Sequence, residues 1–479
     1  MNMVKQKIDE EYLKALEEEL CASLEREKRL SNENLSFVKF LGKKIKRTKL
    51  YTDIISNPDS KAGKIARMPR TLFRIARNPE VRKEILQKKT AENLEEKYRD
   101  TNFLSPWIID MEKRKEIAEK AIKAGRKLVV YYVEKPDAST FRYRCFNTFE
   151  ATLKSKKWQA VYFFKKELPT IKELIPKSSL LVFGRQSGQE KSIDELIKVA
   201  HTHKIKVGFD IDDLVFDKKY LDIVLDTIDG NSNRGYWIVY FNGVKSIAER
   251  VDFFITTNDF LKGKLEESFN KPCQVIRNSV NSGQLSASRA FLRFKNKQDS
   301  VFRIGYFSGS PTHFRDFMEA EPELIKFLND HDDAELNVVG FMRFSKEANR
   351  LVRKGRIKFL PLTDFRKLQK LMSEVDVNIA PLVINDFTNC KSELKFFEAA
   401  LVKTTTIASP TYAFKKVIHD GQNGFLANKG DWYGKLQYLY SNPEENKKVA
   451  EAALKYAVEN YSGKTLLAEI EEAYGRSAK

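Results

Sequence analysis

The stretch CKSELKFFEAALVKTTTIASPTYAFKKVIHDGQNGFLA, residues 390–427, decides how this chain is read. A polar turn, Asn389–Ser392, leads into an amphipathic segment that predicts a helix from about Ser392 to Leu401. The run TTTIAS predicts a buried strand, and DGQNG a turn before a last strand. A helix start offers unpaired N–H groups and a positive dipole end, which suit phosphate. Lys391, Ser392 and Lys395 lie at that start, and Glu398 falls three residues beyond Lys395 on the same face. An anion cradle with a carboxylate beyond it suits a nucleotide, with diphosphate in the cradle and ribose hydroxyls on the acid. An ordinary amphipathic helix of an α/β protein fits the same residues.

Outward from this stretch, short apolar runs alternate with helical segments. The first series is KLVVYYV (127–133), LLVFGR (180–185), KVGFDID (206–212), DFFITT (252–257) and CQVIRN (273–278). After a polar linker the second is FRIGYFSGS (302–310), ELNVVG (335–340), RIKFLP (356–361), VNIAPL (377–382) and TTTIAS (404–409). Strands alternating with helices predict parallel sheets covered on both faces. Two series predict two Rossmann-like domains facing a cleft, 126–285 and 300–440, with helices over 441–479 bracing them. Functional residues belong just after the runs, because open α/β sheets bind ligands at strand carboxyl ends.

The order K-S-E-L-K-F-F-E-A-A…T-I-A-S-P-T…I-x-D-G-x-N-G-F-L-A resembles the donor-binding domain of glycosyltransferase family 4, of GT-B fold, in its bacterial surface-polysaccharide branch. The resemblance covers about 126–475. It implies that Glu398 binds the ribose of a nucleotide sugar. Family members carry an earlier glutamate where this chain has Cys390, and Gly and Pro where it has Lys403 and Thr405. The loop after FRIGYF supplies Ser308, Gly309 and Ser310, small residues that let backbone N–H groups approach an anion, then His313 and Arg315. The resemblance makes these candidates for the donor diphosphate. It places the loop 361–364 near the base. After the first strand, KPDASTFRYRCFN (135–147) stands where the family has a Gly-rich loop, and of its two arginines Arg142 is preferred to Arg144 for the cleft.

GFDIDDLVFD (208–217) gathers four aspartates in a chain of formal charge +19. Asp212 and Asp213 fall at a strand's carboxyl end. A divalent cation on a diphosphate, an acceptor-side carboxylate that orients or deprotonates a sugar hydroxyl, and a structural cap or a pair with Arg142 or Arg185 all fit there. The basic candidates already meet phosphate charge, and the resemblance implies metal independence. The expectation is therefore no metal and no cofactor beyond the nucleotide-sugar substrate, with Asp212, Asp213 and Arg142 as catalytic candidates.

Composition narrows the rest. Cys21, Cys145, Cys273 and Cys390 are too scattered for a disulfide framework or zinc ribbon, which fits a reducing cytosol. His201 and His203 lack further ligands nearby. Residues 4–41 predict a helix or short coiled coil within a 1–60 segment, a route to a homo-oligomer. A basic helical segment follows over 61–125, where KIARMPRTLFRIAR (64–77) sets arginines among apolar residues. Residues 41–90 hold 15 Lys/Arg against 4 Asp/Glu, which points to an anionic membrane surface. No aromatic-rich RNA motif or zinc finger supports a nucleic-acid partner. The expected function is transfer of a hexose-type sugar from a nucleoside diphosphate to a hydroxyl of a cell-surface glycan or lipid-linked acceptor, with retention. The expected location is cytoplasmic, peripheral on the inner face of the membrane. An epimerase of the same fold and a degenerate, non-catalytic scaffold are the alternatives. Deleting residues 1–125 is expected to abolish co-sedimentation with anionic vesicles; equal sedimentation of both forms would remove the membrane assignment.

Overall fold

The computed structural model describes residues 109–479, apart from 135, 137–138, 189–190, 229–232, 294, 296–298, 310–313 and 341. The N-terminal helix, the basic segment up to residue 108, Ser310 and His313 lie outside the described residues.

Strands β1 (Lys127–Val133), β2 (Trp158–Phe164), β3 (Leu180–Gly184), β4 (Lys206–Asp210), β5 (Phe253–Thr256) and β6 (Cys273–Val275) form one sheet, ordered β2-β1-β3-β4-β5-β6. Strands β7 (Phe302–Ser308), β8 (Ala334–Gly340), β9 (Ile357–Leu360), β10 (Val377–Ala380), β11 (Thr405–Ala408) and β12 (Phe425–Leu426) form a second, ordered β12-β11-β10-β7-β8-β9. Neighbouring strands are parallel in both sheets. Central strands such as β1 and β3 are buried on both faces, which is why they read as unbroken apolar runs rather than alternating ones. Strand β2 is not among the runs the sequence singles out. WQAVYFF follows the helix Asn147–Thr152 with no Gly or Pro between, so nothing punctuates the change of period.

The two halves exchange side chains. Phe387 and Cys390, from the second half, are buried in the core of the first. Tyr143 and Val280, from the first, are buried with Phe396 and Phe397 of the second. The chain also crosses back bodily. Helix Pro443–Tyr461 packs Ala453 and Ala457 against the second half, and Gly463, at φ +66°, turns the chain. Helix Gly463–Ser477 then buries Leu466, Ile470 and Tyr474 in the first core, with the Tyr474 hydroxyl 3.0 Å from that of Tyr131.

The signature stretch departs from expectation at its start. A separate short helix, Asp386–Asn389, is closed by a capping box: Asn385 accepts from the Thr388 N–H, and the Thr388 hydroxyl accepts from the Asn385 N–H. The next helix therefore begins at Leu394 rather than Ser392. Its far end explains Lys403. The Lys403 N–H donates to the Ala400 carbonyl and the Thr404 N–H to the Ala399 carbonyl, a Schellman closure that puts Lys403 at φ +51°. Lys295 compensates for the missing glycine, donating to the Val402 and Lys403 carbonyls and to the Thr404 hydroxyl. Lys403→Gly is expected to stabilise the chain by about 0.5–1 kcal/mol in urea unfolding, since only the left-handed strain and a surface ion pair to Glu451 are lost.

Candidate functional site

Strand order reverses once in each sheet, between β1 and β3 and between β7 and β10. Diverging connections leave a crevice at such points. Arg185 follows β3 directly, and Thr140 and Arg142 follow β1; Ser308 ends β7, and the turn to Lys395 follows β10.

The connection after β1 contains a π-helical turn, Arg142–Phe146, and its two arginines part company there. Arg144 turns inward. Its guanidinium meets Asp210 at 2.8 and 3.2 Å and donates to the Ile276 and Thr256 carbonyls and to Asn278. Burial pushes the Asp210 carboxyl up to about 6, against the pull of Arg144. This pair is structural. Arg142 turns toward the second half. Its guanidinium lies 4.2 Å from the Tyr143 ring centre and 4.5 Å from that of Phe365, the residue after the loop 361–364, and 3.3 Å from Glu398.

Glu398 is 3% exposed. Tyr143 donates its hydroxyl to the carboxylate, and the Gln284 amide lies 3.4 Å away. The sequence places Glu398 as an open ligand; the structure encloses it between the halves, gripped by partners more than a hundred residues away. Cys390, where the resemblance expects a first carboxylate, sits in an apolar core, and burial pushes its thiol up. A carboxylate in this packing would be desolvated.

The aspartates pair with cations. Asp212 lies 2.7 Å from Arg185 and accepts from the Thr140 hydroxyl at 3.3 Å. Asp213 meets Lys391 at 2.9 Å and Arg185 at 3.7 Å. Burial alone would raise the Asp213 carboxyl; Lys391 and Arg185 more than offset this and hold it below its ordinary value. Asp210 and Asp217 are apart from this set, the latter accepting from the Lys219 N–H as a cap. Among the described residues, no three of His, Cys, Asp and Glu converge as metal ligands.

The turn at 390–392 is docked rather than open, which corrects the expectation of a free cradle. Asn258 donates to the Cys390 and Lys391 carbonyls, Lys391 is taken by Asp213, and the Ser392 hydroxyl accepts from Asn278. Arg315 is exposed and donates to the Asp226 carbonyl of the first half. Ser308 is buried, and Gly309 faces open space.

Lys395 is different. The residue is only partly buried, but its ammonium is shut off from solvent and among the described residues has no hydrogen-bond partner. It stands 4.7 Å from the ring centre of Tyr306. Tyr306 and Ser308 are two apart on β7 and so face the same side of the sheet. Burial pushes the amine down to about 8, with Asp316 and Glu398 pulling the other way. A buried, unsatisfied cation costs several kcal/mol unless something anionic meets it. It lies at the switch point of the second sheet.

Residues 299–442 match the family described as "Glycosyl transferases group 1". The chain carries a group 1 glycosyltransferase domain. Its enzyme class is accordingly glycosyltransferase. No curated protein matches the sequence. Among solved structures, Anabaena HepE in complex with UDP and glucose is 13% identical, over 73% of this chain and 100% of that one, with a TM-score of 0.48. A glycosyltransferase from Rickettsia africae is 15% identical over 74% and 99%, at 0.49. Sucrose-phosphate synthase from Thermosynechococcus elongatus is 12% identical over 73% and 99%, at 0.46. The two parallel six-stranded sheets and the returning C-terminal helix make a GT-B architecture. No helix among the described residues is long and apolar enough to cross a membrane.

Several site residues carry weaker sequence signals. Arg185 is marked only by following LLVFG; Tyr143, Gln284 and Asn258 lie in ordinary local sequence, and distance in the chain hides their partners. For Lys395, the folded value near 8 lies below the ordinary 10.5, so between these pH values the unfolded chain binds more protons. Stability of the ligand-free enzyme is expected to rise from pH 8 to about 10.5. Lys395→Met should remove its share of that rise, leaving that of Lys295, whose amine burial also pushes down to about 8, and stabilise the ligand-free chain at pH 7 by roughly 2–3 kcal/mol in denaturant titrations.

Proposed function

We propose that the enzyme transfers a hexose-type sugar from a nucleoside diphosphate to a hydroxyl of a cell-surface glycan or lipid-linked acceptor, with retention and without a metal cofactor. The observation that carries this reading is the buried ammonium of Lys395 at the second switch point, which has no hydrogen-bond partner among the described residues. A diphosphate is the ligand whose charge it lacks. In this reading Ser308, Gly309, Ser310 and His313 approach the same anion, while Arg315, Lys391 and Ser392 border it.

In the step itself, the bond from the anomeric carbon to the diphosphate oxygen breaks, and its electron pair leaves with that oxygen. A bond forms from the acceptor hydroxyl oxygen to the same carbon, and the hydroxyl proton ends on the departing diphosphate. Lys395 stabilises the leaving charge in a site that excludes water. Asp213, held ionised by Lys391 and Arg185, is a weak base but a strong hydrogen-bond acceptor; with Asp212 it orients the acceptor hydroxyl. Glu398 grips the ribose by an exchange of donors, two sugar hydroxyls replacing the Tyr143 phenol and the Arg142 guanidinium. The N-terminal segment keeps the enzyme at the inner membrane surface, where a lipid-linked acceptor would lie.

Calorimetry with UDP, GDP, ADP and CMP in buffers of differing ionisation enthalpy tests the donor site. One nucleotide should bind at pH 8 with uptake of about half a proton, because the anion returns Lys395 toward full charge. Lys395→Met should abolish the uptake and weaken binding at least tenfold; unchanged binding in that variant would place the donor elsewhere. Glu398→Ala should weaken donor binding by about 1–3 kcal/mol, and Tyr143→Phe should strengthen it by removing a competing donor. If neither moves the affinity, Glu398 is an interdomain clamp only.

A further inference from the structure

Helix Arg234–Ala248 presents Tyr236 at 60% and Val239 at 71% exposure, one turn apart. Tyr236 is not a loose surface ring. It stacks on Tyr240 with ring centres 6.2 Å apart and planes 22° off parallel, and Trp237 meets both edge-on at 5.8 Å. The helix beneath is fixed. Phe241, Val244 and Ile247 are buried in the first core. A Cβ on Gly243 would lie 1.9 Å from the Ser187 carbonyl oxygen, so helix and loop meet backbone to backbone. Ser187 is two residues past Arg185, whose guanidinium holds Asp212 and Asp213. Tyr240, half-buried, is one turn from Gly243 on the same helix. The aromatic face thus stands on the helix that meets the loop just past Arg185, the residue that holds the carboxylates beyond β4.

We infer that this face is the acceptor's sugar platform: one pyranose ring of the acceptor lies on Tyr236, and its hydroxyls reach Asp212 and Asp213. The inference rests on the glycosyltransferase reading and names the residues that would take its second substrate. A pyranose has the two characters the surface has. Its axial C–H face suits the negative face of an aromatic ring, and its hydroxyls suit carboxylates. An acyl chain would use the rings but gain nothing from the acids. A polynucleotide would meet Asp212 and Asp213 with its phosphates. A second copy of this chain would need a broader apolar face, whereas Asn233 and Arg234 flank the rings with polar, exposed side chains.

The test uses the full-length enzyme with octyl glucoside, octyl galactoside and octyl N-acetylglucosaminide as probes, and with octanol and phosphatidylglycerol vesicles as sugar-free counterparts. Binding is followed by protein fluorescence, to which Trp237 contributes. At least one glycoside should saturate the signal while octanol does not. Tyr236→Ala should raise its dissociation constant about 3- to 10-fold, and Tyr236→Phe, which keeps the ring, should leave it within about twofold of wild type. No saturable glycoside binding, equal binding by Tyr236→Ala, or vesicle binding that Tyr236→Ala abolishes would overturn the platform. Nucleoside diphosphate binding, measured in parallel, separates the two ideas. It should be the same in Tyr236→Ala and wild type, and its absence from both would refute the transferase reading itself.

Discussion

The buried pairing of Arg144 with Asp210 is the contact around which the crevice is arranged. One guanidinium gathers the end of β4 through Asp210, the end of β5 through the Thr256 carbonyl, and the link beyond β6 through the Ile276 carbonyl and Asn278. Asn278 in turn donates to Ser392 of the second half. Taking these groups from water is costly, and a buried ion pair persists only when its remaining hydrogen-bonding positions are filled, as they are here. Removing either partner would leave a charge stranded among strand ends that carry the candidate site.

Because Arg144 is held inward, the π-helical turn must present Arg142 and Tyr143 outward. They meet Glu398, and the hydrophobic part of Tyr143 joins Phe396 and Phe397. Phe387 and Cys390 make the reverse exchange into the first core. These polar contacts and apolar insertions, with the docking of the turn at 390–392, seat one half on the other in the ligand-free enzyme. Lys391 with Asp213 and Arg142 with Glu398 pair across this seam, and Arg185 pairs with Asp212 beside it. Lys395 stands outside this matching. Among the described residues its amine is buried without a hydrogen bond, 4.7 Å from the ring centre of Tyr306 at the switch point of the second sheet.

The surface beside the acids follows the same logic with a different ligand chemistry. Helix Arg234–Ala248 spends its inward face on the core and leaves Tyr236 and Val239 to water, on the element whose Gly243 meets the loop just past Arg185. Isolated exposed apolar residues are ordinary on protein surfaces. Here the exposed ring is stacked on its neighbours and stands on a helix fixed in the core.

Much of the architecture is legible in the chain itself. Parallel strands buried on both faces must be apolar throughout, so runs such as KLVVYYV and FRIGYFS announce themselves, and the rule that ligands gather at their carboxyl ends points to Arg185, Asp212, Asp213 and Ser308. Those signals are local because backbone geometry fixes them within a few residues. What the sequence could not convey is which charge meets which. Whether Asp213 faces a metal, a hydroxyl or Lys391, whether Glu398 is open or closed over by Tyr143, and whether Lys395 has a partner depend on elements separated by more than a hundred residues. The start of the helix at Leu394 was likewise decided by tertiary structure, because burying Cys390 in the opposite core docks the turn that precedes it. Periodicity determines the strands; only packing, which sets distance and dielectric together, determines the partners of their charges.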